Sequence, residues 1–229
     1  MCGKYILAQA AKAERALGIS RGRWDYPPSY RVLPTEQVPV AVTASGEREA
    51  AMMRWGLIPW WAQGVPLKAS TINATVERIA SAPSYRDAWN RGQRCIFAMG
   101  GFYEPHVNAD GTREPYFLKL VNAEVFGVAG LWERSRRDDG SQVFSCTLIT
   151  VPANRLLAEV HNEKQRMPAI LAESDYEAWL AGGSDEAQAL LKPFPDELMT
   201  AWKVSRRVNS PKLPNDASLI ERNQGDQRA

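Results

Sequence analysis

Apolar residues along the chain fall into short runs that are richer in Val, Ile, Phe and Tyr than in strong helix formers. Runs of this kind at residues 38–43, 51–57, 94–98, 116–120, 125–129 and 143–150 predict β-strands, with later candidates at 167–171 and 203–208. Helical spacing is rarer and predicts helices at 12–17, 85–90, 154–160, 176–181 and 185–191. Ser174 and Glu177 have the spacing of a capping box, in which each side chain bonds the other's backbone N–H. Strands are mostly followed by strands, so the pattern predicts an α+β fold: a curved, mainly antiparallel sheet forming a pseudo-barrel with helices around it.

The 229 residues carry 45% hydrophobic and 24% charged side chains, an ordinary globular composition that excludes a disordered or fibrous chain. No composition break or repeat divides them, which predicts one domain over residues 1–220 and a polar tail at 221–229. No run of apolar residues reaches membrane-spanning length, so no membrane partner is expected. Lys12, Glu14 and Arg15 interrupt the first segment before a secretory core can build up. Three widely spaced cysteines (Cys2, Cys95, Cys146) and two histidines (His106, His161) make neither a disulfide framework nor a zinc site. Reduced thiols without an export signal predict a cytoplasmic protein. The net charge of +2 is too small to draw a polyanion to the whole surface, so a nucleic-acid site must be a local patch.

Cys2 is the most informative residue. Taken alone, a Met-Cys start reads as a small buried hydrophobe. Aminopeptidase removal of Met1 is sterically easy before so small a side chain, however, and leaves a cysteine with a free α-amine. That residue carries an amine of pKa about 7.7–8.0 and a thiol of about 8.5 on adjacent carbons. With an aldehyde the amine forms an imine, and the thiolate can close on the imine carbon to give a five-membered thiazolidine. No internal cysteine has this chemistry.

Three further segments set polar groups among apolar or turn residues: Thr71 to Ala74, Gly100 to Pro105, and Val160-His161 with Arg166-Met167-Pro168. Asn73 can hold a carbonyl or amine by hydrogen bonds, Glu104 at a strand end can shuttle protons, and His161 titrates near neutrality. Each also has an ordinary structural reading, as a turn residue, a solvated strand end and a helix-end histidine. His106 and Cys95 are assigned to structure.

In combination these segments resemble the SRAP domain, the SOS response-associated peptidase family that captures abasic sites in single-stranded DNA. The resemblance runs through Met1-Cys2-Gly3-Lys4-Tyr5, Arg54 to Trp61, Asn73-Ala74 with Glu77, Tyr85 to Trp89, Arg94-Cys95, Gly101 to Glu104, Pro115-Tyr116-Phe117, and His161 followed by Arg166-Met167-Pro168. It implies Cys2 as nucleophile, Asn73 and Glu104 as orienting and protonating groups, and His161 as an aid to sugar-ring opening. Four positions depart from the family pattern. Thr75 and Lys4 stand where arginine is usual, Pro105 replaces a tryptophan, and residues 162–165 lengthen the link from His161 to Arg166.

A single-strand groove also has a basis in residue chemistry. Trp60 and Trp61 offer flat surfaces to unstacked bases, while Lys4, Arg54, Arg86 and Arg166 can neutralise phosphates. Neighbours in one strand point to opposite faces, so both tryptophans reach one site only from a loop or bulge. Both can equally be core residues. Thr150 and Met167 are further candidates for the lining. The reading is a monomer that binds single-stranded DNA at an abasic site and crosslinks to it through Cys2, with no metal or organic cofactor, and that joins the nucleoid when bound. An N-terminal-nucleophile or cysteine peptidase, and a non-covalent single-strand-binding module, are the alternatives.

Overall fold

The longest apolar runs become the walls of a closed barrel in the computed structural model, which describes residues 2–223. In chain order the strands are β1 (Tyr5–Leu7), β2 (Ser29–Val32), β3 (Gln37–Ala44), β4 (Glu47–Trp55), β5 (Asn73–Thr75), β6 (Arg94–Met99), β7 (Gly101–Val107), β8 (Arg113–Leu120), β9 (Phe126–Arg136), β10 (Gln142–Pro152), β11 (Arg166–Pro168), β12 (Ile170–Leu171) and β13 (Met199–Lys203). The α-helices are α1 (Ala10–Ala16), α2 (Arg86–Asn90), α3 (Arg155–Val160), α4 (Tyr176–Ala181) and α5 (Ser184–Leu190).

The barrel runs β10, β4, β3, β6, β9 and back to β10. Every step is antiparallel except β4 to β10, a short parallel seam that pairs Arg54 with Ser145 and Trp55 with Cys146. Trp55, Phe97, Leu131, Leu148 and Ile149 have no exposed surface. Each large side chain buried in this way contributes about 1.5–3 kcal/mol. The β3–β4 hairpin closes through Ser45 and Gly46, both at positive φ (54° and 77°), the backbone that lets a two-residue turn follow the twist of its strands.

A second antiparallel sheet, in the order β13, β8, β7, β1, β2, lies beside the barrel. The chain passes from barrel to sheet between β6 and β7. A side chain at Gly101 would collide with the Phe117 ring, so this crossing needs glycine. β5 and β11 add to β10, at Leu148 to Thr150 and at Thr150 to Pro152 respectively. These short pairings carry the residues of the site.

The α+β reading and the barrel agree with the structure, and two local expectations are corrected. The last strand is Met199–Lys203, ahead of the predicted 203–208; residues Arg206–Asn209 form a 3-10 turn capped by the Ser205 hydroxyl. Ser174 already lies inside a 3-10 turn, Glu173–Asp175, and its hydroxyl donates to the Asp175 carboxylate, so no capping box forms. Glu177 instead stands 3.5 Å from Arg48 Nη2. Trp60 and Trp61 lie outside any strand on a 3-10 turn, Trp60–Ala62, the loop geometry that both need to reach one site, and both are half-exposed rather than core. Of the polar tail, residues 224–229 fall outside the described residues.

Candidate functional site

β1 and β7 bring the first residues against Glu104. Tyr5 pairs with Phe102, and the Tyr103 N–H donates to the Lys4 carbonyl at 3.0 Å. Glu104 is the next residue on β7. The Cys2 thiol points back to the Lys4 carbonyl at 3.7 Å. From the barrel side, Asn73 opens β5 opposite Leu148, and its Nδ2 donates to the Cys2 carbonyl at 2.8 Å. The Tyr85 hydroxyl in turn donates to the Asn73 carbonyl at 3.2 Å, tying the start of α2 to β5.

His161 follows α3, the helix that leaves β10. Its Nε2 is 3.7 Å from Glu104 Oε2, and its Nδ1 is 3.0 Å from the Arg166 carbonyl. Residues 162–165, the longer link, form a turn closed by the Gln165 N–H donating to the His161 carbonyl at 2.8 Å. Asn162 in that turn makes two bonds to the backbone of Val107, accepting at 3.0 Å and donating at 2.9 Å, and so joins the histidine loop to the strand that bears Glu104. His106 supports the same loop, with Nδ1 3.0 Å from the Glu159 carbonyl at the end of α3.

Cys2, Asn73, Glu104 and His161 are all buried. Burial raises the Glu104 carboxyl to about 7, against the partial relief of the Lys4 charge. Burial likewise lowers His161, so its neutral form is favoured. The Cys2 thiol is pushed well up by burial and by the Glu104 charge, which makes it a thiol awaiting a base rather than a standing thiolate. Lys4 is lowered by burial. The Asn73 Oδ1 is buried and has no hydrogen-bond partner among the described residues. Beside these groups a cleft of about 210 Å³ opens, lined by Lys4, Tyr103, Glu104, Arg113 and Glu114 among others. Among the described residues no three His, Cys, Asp or Glu side chains group as metal ligands.

The remaining residues singled out in the sequence are spread around this centre. Arg166 forms a two-pronged pair with Glu77 (2.7 and 3.1 Å) and donates to the Thr150 carbonyl at 2.6 Å. Thr150 has no exposed surface and supports Arg166 from behind, its hydroxyl directed to the Ala74 carbonyl. Lys4 Nζ donates to Asn209 Oδ1 at 2.6 Å. Arg86 is half-exposed at the start of α2, beside Asp87, which accepts from Trp60 Nε1 at 2.7 Å. Trp61 Nε1 is 3.4 Å from the Pro83 carbonyl. Arg54 spends its guanidinium on the Gly56 carbonyl at 2.6 Å, and Met167 is buried core. Asn162, Asn209 and Arg113 were not anticipated. Only the insertion between His161 and Arg166 hinted at the first.

The thiol of Cys2, the carboxyl of Glu104 and the imidazole of His161, all buried, come together between a barrel and a second sheet. The model of the SOS response associated peptidase (SRAP) family matches residues 1–211, and the chain belongs to this family. It is 34% identical over 200 residues to the abasic site processing protein YoqW of Bacillus subtilis (strain 168), covering 86% of this chain and 87% of that protein. It is 30% identical to the abasic site processing protein HMCES of Pongo abelii, covering 81% of this chain and 62% of that protein. A crystal structure of a protein from Bacteroides thetaiotaomicron superimposes with a TM-score of 0.82 at 27% identity, over 96% of this chain and 99% of that one.

Proposed function

We propose that this protein processes abasic sites in DNA, and that it does so by capturing them covalently in single strands through Cys2. The observation that carries the reading is the convergence on Cys2 of Asn73, bonded to its carbonyl, and of Glu104, paired with His161. The names of the relatives, abasic site processing proteins, point to the same substrate. The unit is read as one domain acting as a monomer in the cytoplasm, on the nucleoid when bound.

Hydrolysis of the Met1–Cys2 peptide bond, the peptidase-like step, consumes one water and frees the Cys2 amine. The ring-opened abasic sugar presents an aldehyde. The amine adds to its carbonyl carbon, and the carbinolamine loses water, which takes a proton from Glu104, whose carboxyl near 7 is half-protonated at neutral pH. The thiol then adds to the imine carbon. Its sulfur makes the new C–S bond, the C=N electron pair moves onto the nitrogen, which already carries its proton, and the thiol proton passes directly or through neutral His161 back to the Glu104 carboxylate. Aldehyde and aminothiol give thiazolidine and one water, with no change of oxidation state. Asn73 holds the Cys2 backbone throughout, and Arg166, Lys4 and Arg86 offer positive charge to the phosphates.

Incubation of the purified protein with a single-stranded oligonucleotide bearing one abasic site tests this directly. A heat-stable adduct is expected whose intact mass is the sum of the Met1-free protein and the oligonucleotide less one water. Absence of an adduct, or equal yield from an undamaged oligonucleotide, overturns the reading.

A further inference from the structure

A second cleft lies on the barrel wall, at the end of β10 remote from Thr150. Trp132, Arg134 and Arg136 of β9 stand in register with Cys146, Phe144 and Gln142 of β10, and directly paired residues share a face. The Trp132 and Phe144 rings are 6.3 Å apart. Trp60 reaches the same cleft from its 3-10 turn, with the Arg91 guanidinium over its ring at 5.9 Å. Together these residues enclose about 530 Å³. Trp60 is 50% exposed and Phe144 41% exposed, so two large aromatic faces are left to solvent beside three arginines.

We propose that this cleft is a second DNA subsite, which takes bases and phosphates of the strand flanking the abasic nucleotide; the inference rests on the function proposed above. Stacking faces interleaved with cations are what an unpaired strand of any sequence requires. Charge in the cleft also favours a polyanion. Of the carboxylates at the cleft, Glu133 is buried, accepting from the Arg134 N–H at 2.9 Å and standing 3.5 Å from Arg91 Nη2, and Asp87 accepts from Trp60 Nε1 at 2.7 Å beside Arg91, so Arg134 and Arg136 keep their charge for the solvent side. A chain of bonded residues links the cleft to the reactive site: Trp60 to Asp87, α2, and Tyr85 to Asn73. Along β10, the six steps from Thr150 to Phe144 span about 20 Å, a distance only a strand longer than the reactive nucleotide can bridge.

The test compares two oligonucleotides bearing one abasic site, one of about 4 nucleotides and one of about 16, roughly the range of lengths that single-strand-binding sites cover. Phe144→Ala combined with Arg136→Ala should weaken binding of the longer by about 5- to 100-fold and leave the shorter unchanged. The salt dependence for the longer should become shallower, by a slope of about 0.7 for each phosphate no longer neutralised. Phe144→Tyr should restore affinity, since it restores a stacking face, which a folding defect would not predict. If the double variant binds the longer strand as wild type does, or weakens both alike, the subsite is wrong. If wild-type protein binds and crosslinks neither strand, it is the proposed function that fails, and the subsite with it.

Discussion

His161 Nε2 stands 3.7 Å from Glu104 Oε2 with both side chains buried, and each is shifted toward its neutral form. A carboxyl and an imidazole so placed exchange a proton more readily than they hold a separated ion pair, because burial penalises both charges. The pair is therefore suited to giving and taking back the same proton within one reaction.

The first consequence is thermodynamic. Glu104 has a folded-state pKa raised from 4.5 to about 7, so its favourable contribution is complete below 4.5 and is lost as the pH rises through about 7. Full ionisation withdraws about 3 kcal/mol. Glu104→Gln removes the titration and should therefore gain stability relative to wild type across that interval, read as a difference in urea midpoint between pH 4.5 and pH 8. His161, lowered by burial, acts in the opposite direction below its ordinary 6.5 in both proteins. A difference that stays flat with pH contradicts the assignment.

If the pair acts as proposed, it should also set the rate. Glu104→Gln and His161→Ala should each slow adduct formation by about 10²- to 10⁴-fold while single-strand affinity is retained. Single-turnover crosslinking with pre-bound oligonucleotide separates the two quantities. Wild-type rates from either variant remove it from the mechanism.

Chemistry at the terminus is the sharpest test, because only a terminal cysteine offers both nucleophiles. Protein that retains Met1 or carries an acylated α-amine should form no stable adduct although its thiol is intact. Cys2→Ser, if its terminus is freed, should form only an imine, visible after borohydride reduction and labile without it. A stable adduct from retained-Met1 protein would eliminate the thiazolidine.

Half-exposed Trp60 and Trp61 and the arginines near them make a further expectation about binding. Affinity should favour single-stranded over fully paired DNA, whose stacked bases hide their faces, and should fall linearly with the logarithm of salt concentration. Equal titration of both forms in one buffer, or no salt dependence, speaks against a stacking site.

The barrel was legible because strands such as β6, buried at every position, leave continuous apolar runs in the sequence. β1, β2 and β5, of three or four residues, leave no such period, yet β1 and β5 position Cys2 and Asn73. β7 was hidden by Gly101 and Pro105. The structure tolerates this proline because it stands opposite Pro115 of β8, which places two missing N–H donors at one rung of the ladder. Cys2, Asn73, Glu104 and His161 could be named from their chemistry and the family resemblance. Their supports could not: Asn162 serves Val107 from 55 residues away, and Asn209 serves Lys4 from 205. Such pairings follow no period and appear only when the chain is folded.

The parallel seam between β4 and β10 bears on how the chain is made as well as how it stands. Its partners, Arg54 and Ser145, are about 90 residues apart, whereas the hairpins β3–β4 and β9–β10 close over a few. At about 5–20 residues per second, a ribosome takes roughly 5–20 seconds to deliver β10 after β4 has emerged. Throughout that interval β4 has an unsatisfied edge open to any other nascent strand. The hazard of misassembly therefore belongs to the unfinished chain and ends with the closing rung. Ribosome-bound chains arrested before β10 should be readily cleaved by protease within β4, and chains arrested well past it should resist; equal cleavage of both would show that the seam is not what protects that edge.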